Sequence, residues 1–324
     1  MKNLCLPLCA MLLLSLQTYS QDKVLNKILE NLKVELVEPG IVSTSDFEFG
    51  TTLSPNEDTL FFVKGLPGFQ RTVIVYVEKE DDQWSEPKVA PFSGTYNDTN
   101  PYFSKKGNRL YFTSNRPSGI EDVKGSNIWY IEKTKDDWSE PKLVKGEINN
   151  EFDIIYPTIQ TDGTIHFVSW NRPNSKNGDI YISKLENGKY SEPEQVEELN
   201  TLASDADPEV SSDGKYMFLT SQRKGGFGHY DLFNSKRQCN GTWGEPINLG
   251  PKVNTFFMDS DPILSPDGKT LFFSSDKFDT TVSSTSNYNS YDSIVKFYDK
   301  IQNGKMNIYK AEIKELLTHK QSNY

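Results

Sequence analysis

Short apolar runs separated by polar turns recur along the chain at a regular spacing. Five segments share one pattern: FGTTLSPNEDTLFFVKG, TNPYFSKKGNRLYFTSNRP, IYPTIQTDGTIHFVSWNRP, ADPEVSSDGKYMFLTSQRK and SDPILSPDGKTLFFSSDK. Each reads as strand, turn and strand, because a Gly- or Asp-rich turn between apolar runs is a hairpin signal. Glu57, Gly107, Gly163, Gly214 and Gly268 mark the turns, at spacings of 50, 56, 51 and 54 residues. A third strand follows each hairpin. Four of them open with Asp or Asn before an apolar–aromatic pair, at Asn127-Ile128-Trp129, Asp179-Ile180-Tyr181, Asp231-Leu232-Phe233 and Asn307-Ile308-Tyr309; the first unit has Val73-Ile74-Val75-Tyr76. A fourth element carries an aromatic and then Glu-Pro, from Trp84, Trp138, Tyr190 and Trp243. Proline suits an edge strand, where one face of the backbone needs no donor.

Only four such elements follow the five hairpins. The fifth, Val37-Glu38-Pro39, precedes the first hairpin. A ring accounts for this: the N-terminal strand supplies the outer strand of the last unit and removes an exposed sheet edge. Four strands in 40–50 residues is the period of propeller blades. The fold expected is all-β, a five-bladed propeller of four-stranded antiparallel blades closed by an N-terminal strand. Six blades are the alternative, but the spare segments Asp22–Ser45 and Phe278–Lys305 hold only 24 and 28 residues. The pattern divides the chain into a segment at 1–20, an N-terminal helix and closing strand at 21–45, the propeller at 46–318 with an insertion near 278–305, and a tail at 319–324. Leu25, Ile28, Leu29 and Leu32 have helical spacing. The stretch TTVSSTSNYNSYDS in the insertion is polar.

These repeats resemble the TolB-type, WD-repeat-like propeller family. The pattern D-x-x-P-x-x-S-x-D-G-K-x-L-x-F-x-S is nearly complete at Asp259–Ser275 and at Asp205–Ser221, and GGFGHYDLF and WGEPINLGPKVNT add to the likeness. It covers roughly residues 46–313. It implies a periplasmic or surface propeller associated with envelope proteins, and no single activity, since one fold hosts many functions. The family's namesake has six blades, and this chain departs from it there.

The N-terminus reads as an export signal, with Lys2, the apolar stretch Leu4–Leu16 and Thr18-Tyr19-Ser20 as the cleavage region. Cleavage after Ser20 removes Cys5 and Cys9 and leaves Cys239 alone, so no internal disulfide is expected in an oxidising compartment. The expected location is the periplasm or the cell surface. A formal charge of −10 disfavours nucleic acid as a partner. No later stretch is long and apolar enough for a transmembrane helix. The chain is expected to act as a monomer on an envelope protein or a glycan.

Candidate chemistry follows from the register. The first strand of a blade lines the central channel, so the residues before each Pro are expected at one mouth, facing water. These are Glu48, Asp98, Asp153 (with Ile154 in register), Asp205 and Asp259, followed two places on by Gly50, Asn100, Tyr156, Asp207 and Asp261. The loop after the second strand returns to that mouth with Lys64, Arg116, Arg172, Arg223 and Lys277, and with the aromatics Phe69, Trp170, Phe227 and His229. Two readings stand side by side. In one, each base pairs with an acid and stabilises the ring. In the other, Asp98, Asn100, Arg116, Asp153, Trp170, Arg172, Asp205, Asp207, Arg223, His229, Asp259 and Asp261 form a binding mouth suited to a sugar or peptide. The leading expectation is a non-catalytic binding or scaffold module. The alternative is a glycan-active hydrolase, which needs an acid and a base about 6.5–9.5 Å apart for inversion; Glu48 and Asp153, which break the repeat, are its candidates. No cofactor is required by the pattern. Calcium on Asp98, Asp205 and Asp259 is the one ion it admits. His166, His229 and His319 lack metal-ligand spacing, and no G-x-S-x-G turn is present.

Overall fold

The computed structural model describes residues 24–123, 125–135, 138–175, 177–278 and 290–318. The segment at 1–20 read above as an export signal, with Cys5 and Cys9, the tail and most of the polar stretch in the insertion lie outside the described residues. Five antiparallel sheets of four or five strands form a five-bladed β-propeller, and a two-stranded hairpin, Leu185–Glu186 with Lys189–Tyr190, stands beside the third. From the channel outward, blade two is Asp98–Phe103, Arg109–Ser114, Asn127–Glu132 and Lys142–Leu143; blade four is Asp205–Val210, Tyr216–Ser221, Asp231–Lys236 and Ile247–Asn248. Blade five is Asp259–Leu264, Thr270–Ser275, Asn307–Glu312 and, as outer strand, Val34–Leu36. Val34, Glu35 and Leu36 pair with Ala311, Lys310 and Tyr309, so the ring closes between the two ends of the domain. The closing strand lies just before Val37-Glu38-Pro39. In the other blades the outer strand comes just after Glu-Pro, and the aromatic before Glu-Pro sits in a short hairpin or bridge at the blade's rim.

Alternation decides what each strand buries. The middle strands are apolar on both sides because a neighbouring blade packs on each face. Phe62, Phe112, Phe167, Phe218 and Phe273 occupy equivalent places in their second strands and are fully buried. Five apolar clusters fill the ring; in one of them Phe49, Phe61 and Val63 of blade one meet Phe103, Leu110 and Phe112 of blade two. The turn residues Glu57, Gly107, Gly163, Gly214 and Gly268 all have positive φ, from 59° to 93°. That conformation is easy for glycine.

Every first strand breaks its register once. The shifts fall between Phe49 and Thr52, Thr99 and Tyr102, Ile155 and Thr158, Ala206 and Glu209, and Ser260 and Ile263. These are β-bulges, and each contains one residue in the left-handed region: Gly50 at 54°, Asn100 at 48°, Tyr156 at 55°, Asp207 at 48° and Asp261 at 55°. Pro follows in four of the five. A bulge leaves one backbone position outside the ladder, so a residue without an N–H costs no pairing there.

Residues 24–30 form a helix whose Leu25 and Leu29, with Leu32 just beyond it, enter the core between blades four and five, beside Phe218, Leu249, Val253 and Tyr309. Leu29→Ala is expected to lower the unfolding free energy by about 2–4 kcal/mol through the cavity it leaves. Chemical denaturation checks this, and a loss below about 0.5 kcal/mol would show that the helix is not part of the core.

Candidate ligand site at the channel mouth

The acids at the start of the first strands do not face water. Glu48, Asp98, Asp205 and Asp259 are fully buried, which corrects the expectation of channel-facing carboxylates. The strand's alternation turns this position toward the loops of its own blade. In blade two, Arg116 Nη2 donates to Asp98 Oδ1 at 2.8 Å and to the Phe92 carbonyl at 3.0 Å. In blade four, Arg223 Nη2 donates to Asp205 Oδ1 at 2.7 Å and to the Leu199 carbonyl at 2.9 Å. The guanidinium then lies over the aromatic of the third strand, Trp129 or Phe233. In blade one, Lys64 reaches Glu48 at 3.3 Å and Asp46 at 2.9 Å. A hydroxyl four or five residues upstream supplies a further donor: Ser93 to Asp98, Thr201 to Asp205, Thr255 to Asp259 and Thr44 to Glu48.

Two blades depart from this lock. In blade three the acid falls one place early and Ile154 takes the buried position. Arg172 therefore binds the Ile148 carbonyl and Asn150, stacked on Tyr181 and Phe167, and Asp153 is released toward the channel, where its Oδ1 accepts from the Ser126 N–H at 2.6 Å. In blade five, Lys277 sits 3.9 Å from the centre of the Tyr309 ring, and Asp259 Oδ1 receives no charged donor, only the neighbouring Ser275 hydroxyl. Burial raises the Asp259 carboxyl to about 6. Arg223→Ala strands a buried carboxylate and is expected to cost about 3–5 kcal/mol. Lys277→Arg supplies the guanidinium donor that blade five lacks and is expected to add about 1 kcal/mol. Equilibrium unfolding of both variants checks the pair; opposite signs are the expected signature.

A cavity of about 620 Å³ opens at this mouth of the channel. It contains six of the twelve sequence candidates, namely Asn100, Asp153, Trp170, Asp207, His229 and Asp261; Asp98, Arg116, Arg172, Asp205, Arg223 and Asp259 lie outside it, as does Glu48. Phe49, Phe69, Ile155 and Met258 give the wall apolar surface, and Asn97, Asn115, Ser126 and Tyr230 give it polar groups. Phe69 was expected at this mouth from its loop; the other seven were not among the sequence candidates. Asn97 and Asn115 sit one residue from positions the repeat had marked, at the mouth ends of the first and second strands of blade two, where the Asn97 N–H donates to Asn115 Oδ1 at 2.9 Å.

The bulge residues form the floor. Asp207 Oδ2 accepts from the Asp261 N–H at 3.4 Å, and Asn100 Oδ1 accepts from the Tyr156 N–H at 3.3 Å, so adjacent blades are linked across the ring. The Tyr156 hydroxyl crosses to the Pro262 carbonyl at 2.9 Å. Beneath lies a void of only about 10 Å³ between Asn100, Tyr156 and Ile263. Asp207 and Asp261 are buried, and none of the ion pairs of the described residues involves either. Burial pushes both carboxyls up, Asp207 to about 7 with the Asp261 charge adding to the effect, and Asp261 to about 6. Among the described residues no group of three His, Cys, Asp or Glu is placed to hold a metal ion. The three acids considered for calcium are each engaged within their own blades.

A raised carboxyl holds a proton in the folded state that the unfolded chain has released. The stability this contributes is present at acidic pH and is lost as pH rises from about 4 to about 7. Asp207→Asn is therefore expected to flatten the fall in stability between pH 5 and pH 8, and to be the more stable protein at pH 8 by about 1–3 kcal/mol, at about 1.4 kcal/mol per pKa unit. Melting curves of both proteins across that range check this; parallel curves would contradict it.

No protein-family model matches the sequence, and no curated protein matches it. Among solved structures, the chain is similar to a protein described as TolB from Agrobacterium tumefaciens (16% identity, TM-score 0.46, covering 71% of this chain and 70% of that one). It is also similar to an α-L-arabinofuranosidase from Lactobacillus brevis (13%, 0.46, 74% and 85%) and an endo-arabinase from Bacteroides thetaiotaomicron VPI-5482 (15%, 0.47, 72% and 91%). Likeness at this level assigns no activity, and the propeller assignment stands on the sheets themselves.

Proposed function

We infer that the protein is an exported, non-catalytic binding module of the cell envelope whose ligand enters the channel mouth. The cavity carries this reading. The basic side chains of the repeat are withdrawn into the blades, while aromatic, amide and carboxylate groups of several blades converge on one opening. A concave, largely apolar site with a few placed polar groups is the usual form of a ligand pocket. Trp170 at the rim offers a face for a sugar ring or an apolar side chain. The sequence likeness to TolB-type propellers and the leader-like N-terminus support an envelope location, and no helix among the described residues is long and apolar enough to cross a membrane.

The hydrolase reading has one observation in its favour: Asp207 holds its proton near neutral pH, as a general acid does. Its original pair is not assembled, because Glu48 is tied to Lys64, Thr44 and Asn307 outside the cavity. One experiment separates the two. A glycan array identifies a binding oligosaccharide, and the mixture is then assayed for new reducing ends. The expected result is saturable binding without turnover, weakened at least tenfold in Trp170→Ala with an unchanged melting temperature. Turnover that disappears in Asp207→Asn would replace the binding reading with the hydrolase. Binding indifferent to Trp170→Ala would place the ligand elsewhere.

A further inference from the structure

We propose that the floor of the channel-mouth cavity receives a primary ammonium group, held between Asp207 and Asp261. This rests on the binding reading and names the chemistry of the ligand's leading end.

Charge is the first argument. Asp153, Asp207 and Asp261 line the cavity, and among the described residues no Lys or Arg does. The cations that the repeat places nearby are already committed: Arg116 to Asp98, Arg223 to Asp205, Arg172 to the Ile148 carbonyl and Lys277 to the face of Tyr309. Buried carboxylates require a countercharge or a proton. An anionic guest would add a further negative charge to a cavity already lined by carboxyls, and a neutral guest would leave the pair as it is.

Geometry is the second argument. Thr220, which pairs with Ala206 next to Asp207, lines the cavity; its buried hydroxyl is turned toward the Asp207 carboxylate and accepts no hydrogen bond from another group, which leaves its lone pairs for a guest. An ammonium group has three donors and no acceptor. Two carboxylates and this hydroxyl present acceptors to all three. A hard cation such as calcium takes six to eight oxygens, which this floor does not offer. Above it, Phe49, Phe69 and Trp170 accommodate the uncharged stem of the guest and favour a cation near their faces.

Beneath the pair, Glu209 is matched by Lys105 at 3.4 Å, so that cation is committed as well; the other titratable groups around the pair are Asp153, His229 and Tyr230 in the wall, Tyr156 beneath, and Asp205 and Asp259 two residues upstream on the same strands. None supplies a fixed positive charge at neutral pH. In the free protein the pair meets its like charge by holding a proton, and the ammonium displaces it. Binding is thus accompanied by proton release and tightens as pH rises from 5 to 7.

Two matched pairs of probes test this by titration calorimetry at pH 6, in two buffers of different ionisation enthalpy. Glucosamine is compared with N-acetylglucosamine, and a blocked lysine amide with its Nε-acetyl derivative. The expected result is that at least one free amine binds tenfold or more tightly than its acetylated partner, releases protons, and loses that preference in Asp207→Asn and in Asp261→Asn. Whichever pair responds distinguishes an amino sugar from a peptide amine as the source. Equal binding within both pairs overturns the ammonium assignment and leaves the binding mouth standing, as does binding of a neutral array glycan alone. Absence of binding by every probe and every array glycan overturns both. The comparison within each pair uses the unaltered protein, so it holds even where a variant fails to fold.

Discussion

The constraint on which the site depends is the left-handed residue in each inner strand. A regular strand would alternate its side chains between the two neighbouring blades and leave the channel with whatever remained. One inserted residue at positive φ breaks that alternation at the same height in all five blades, and it turns Asn100, Asp207 and Asp261 inward. Such a conformation costs on the order of 1–3 kcal/mol for a residue with a side chain. Gly, Asn and Asp tolerate it best. Tyr156 does not belong to that group, and its hydroxyl bond across the channel to Pro262 holds it in place.

Around this inner ring runs a second one. An acid, a base and an aromatic, drawn from the first strand, the following loop and the third strand, meet in blades two and four inside the blade. The two rings divide labour. The outer one neutralises its own charges, so the ring of blades carries no uncompensated carboxylate at the positions where it is complete. The inner one leaves its charges open to the channel. Blades three and five, where the outer lock is incomplete, flank blade four, which carries Asp207.

The repeat, the blade count and the ring closure were legible because five hairpins agree on one register and an outer element is displaced to the front of the chain. The site was only half legible. Asp98, Asp205 and Asp259 looked like channel residues because they begin inner strands, but the chain's period of two sends that position into the blade. The pairing of base with acid was one of the two readings the sequence allowed, and Thr201 and Thr255, each four residues before its Asp, are a spacing that points to it. Asp207 and Asp261 appeared as followers of those acids. Nothing in their residue type distinguished them, because what sets them apart is the bulge, and no local signal other than the following Pro marks it. Asp153 was noticed for breaking the repeat, and its displacement by one residue is what frees it.

The closing strand has a consequence in time. Val34, Glu35 and Leu36 are among the first residues of the domain to be made, and their partners Tyr309, Lys310 and Ala311 among the last. The clasp is thus finished long before its catch exists. Until residue 311 arrives, blades one to four are an open crescent, with Phe62 and Val42 at one end and Phe272 and Ile308 not yet in place at the other. A contact spanning nearly the whole domain makes for slow folding, and until it forms an open crescent with apolar flanks is exposed to misassembly and association.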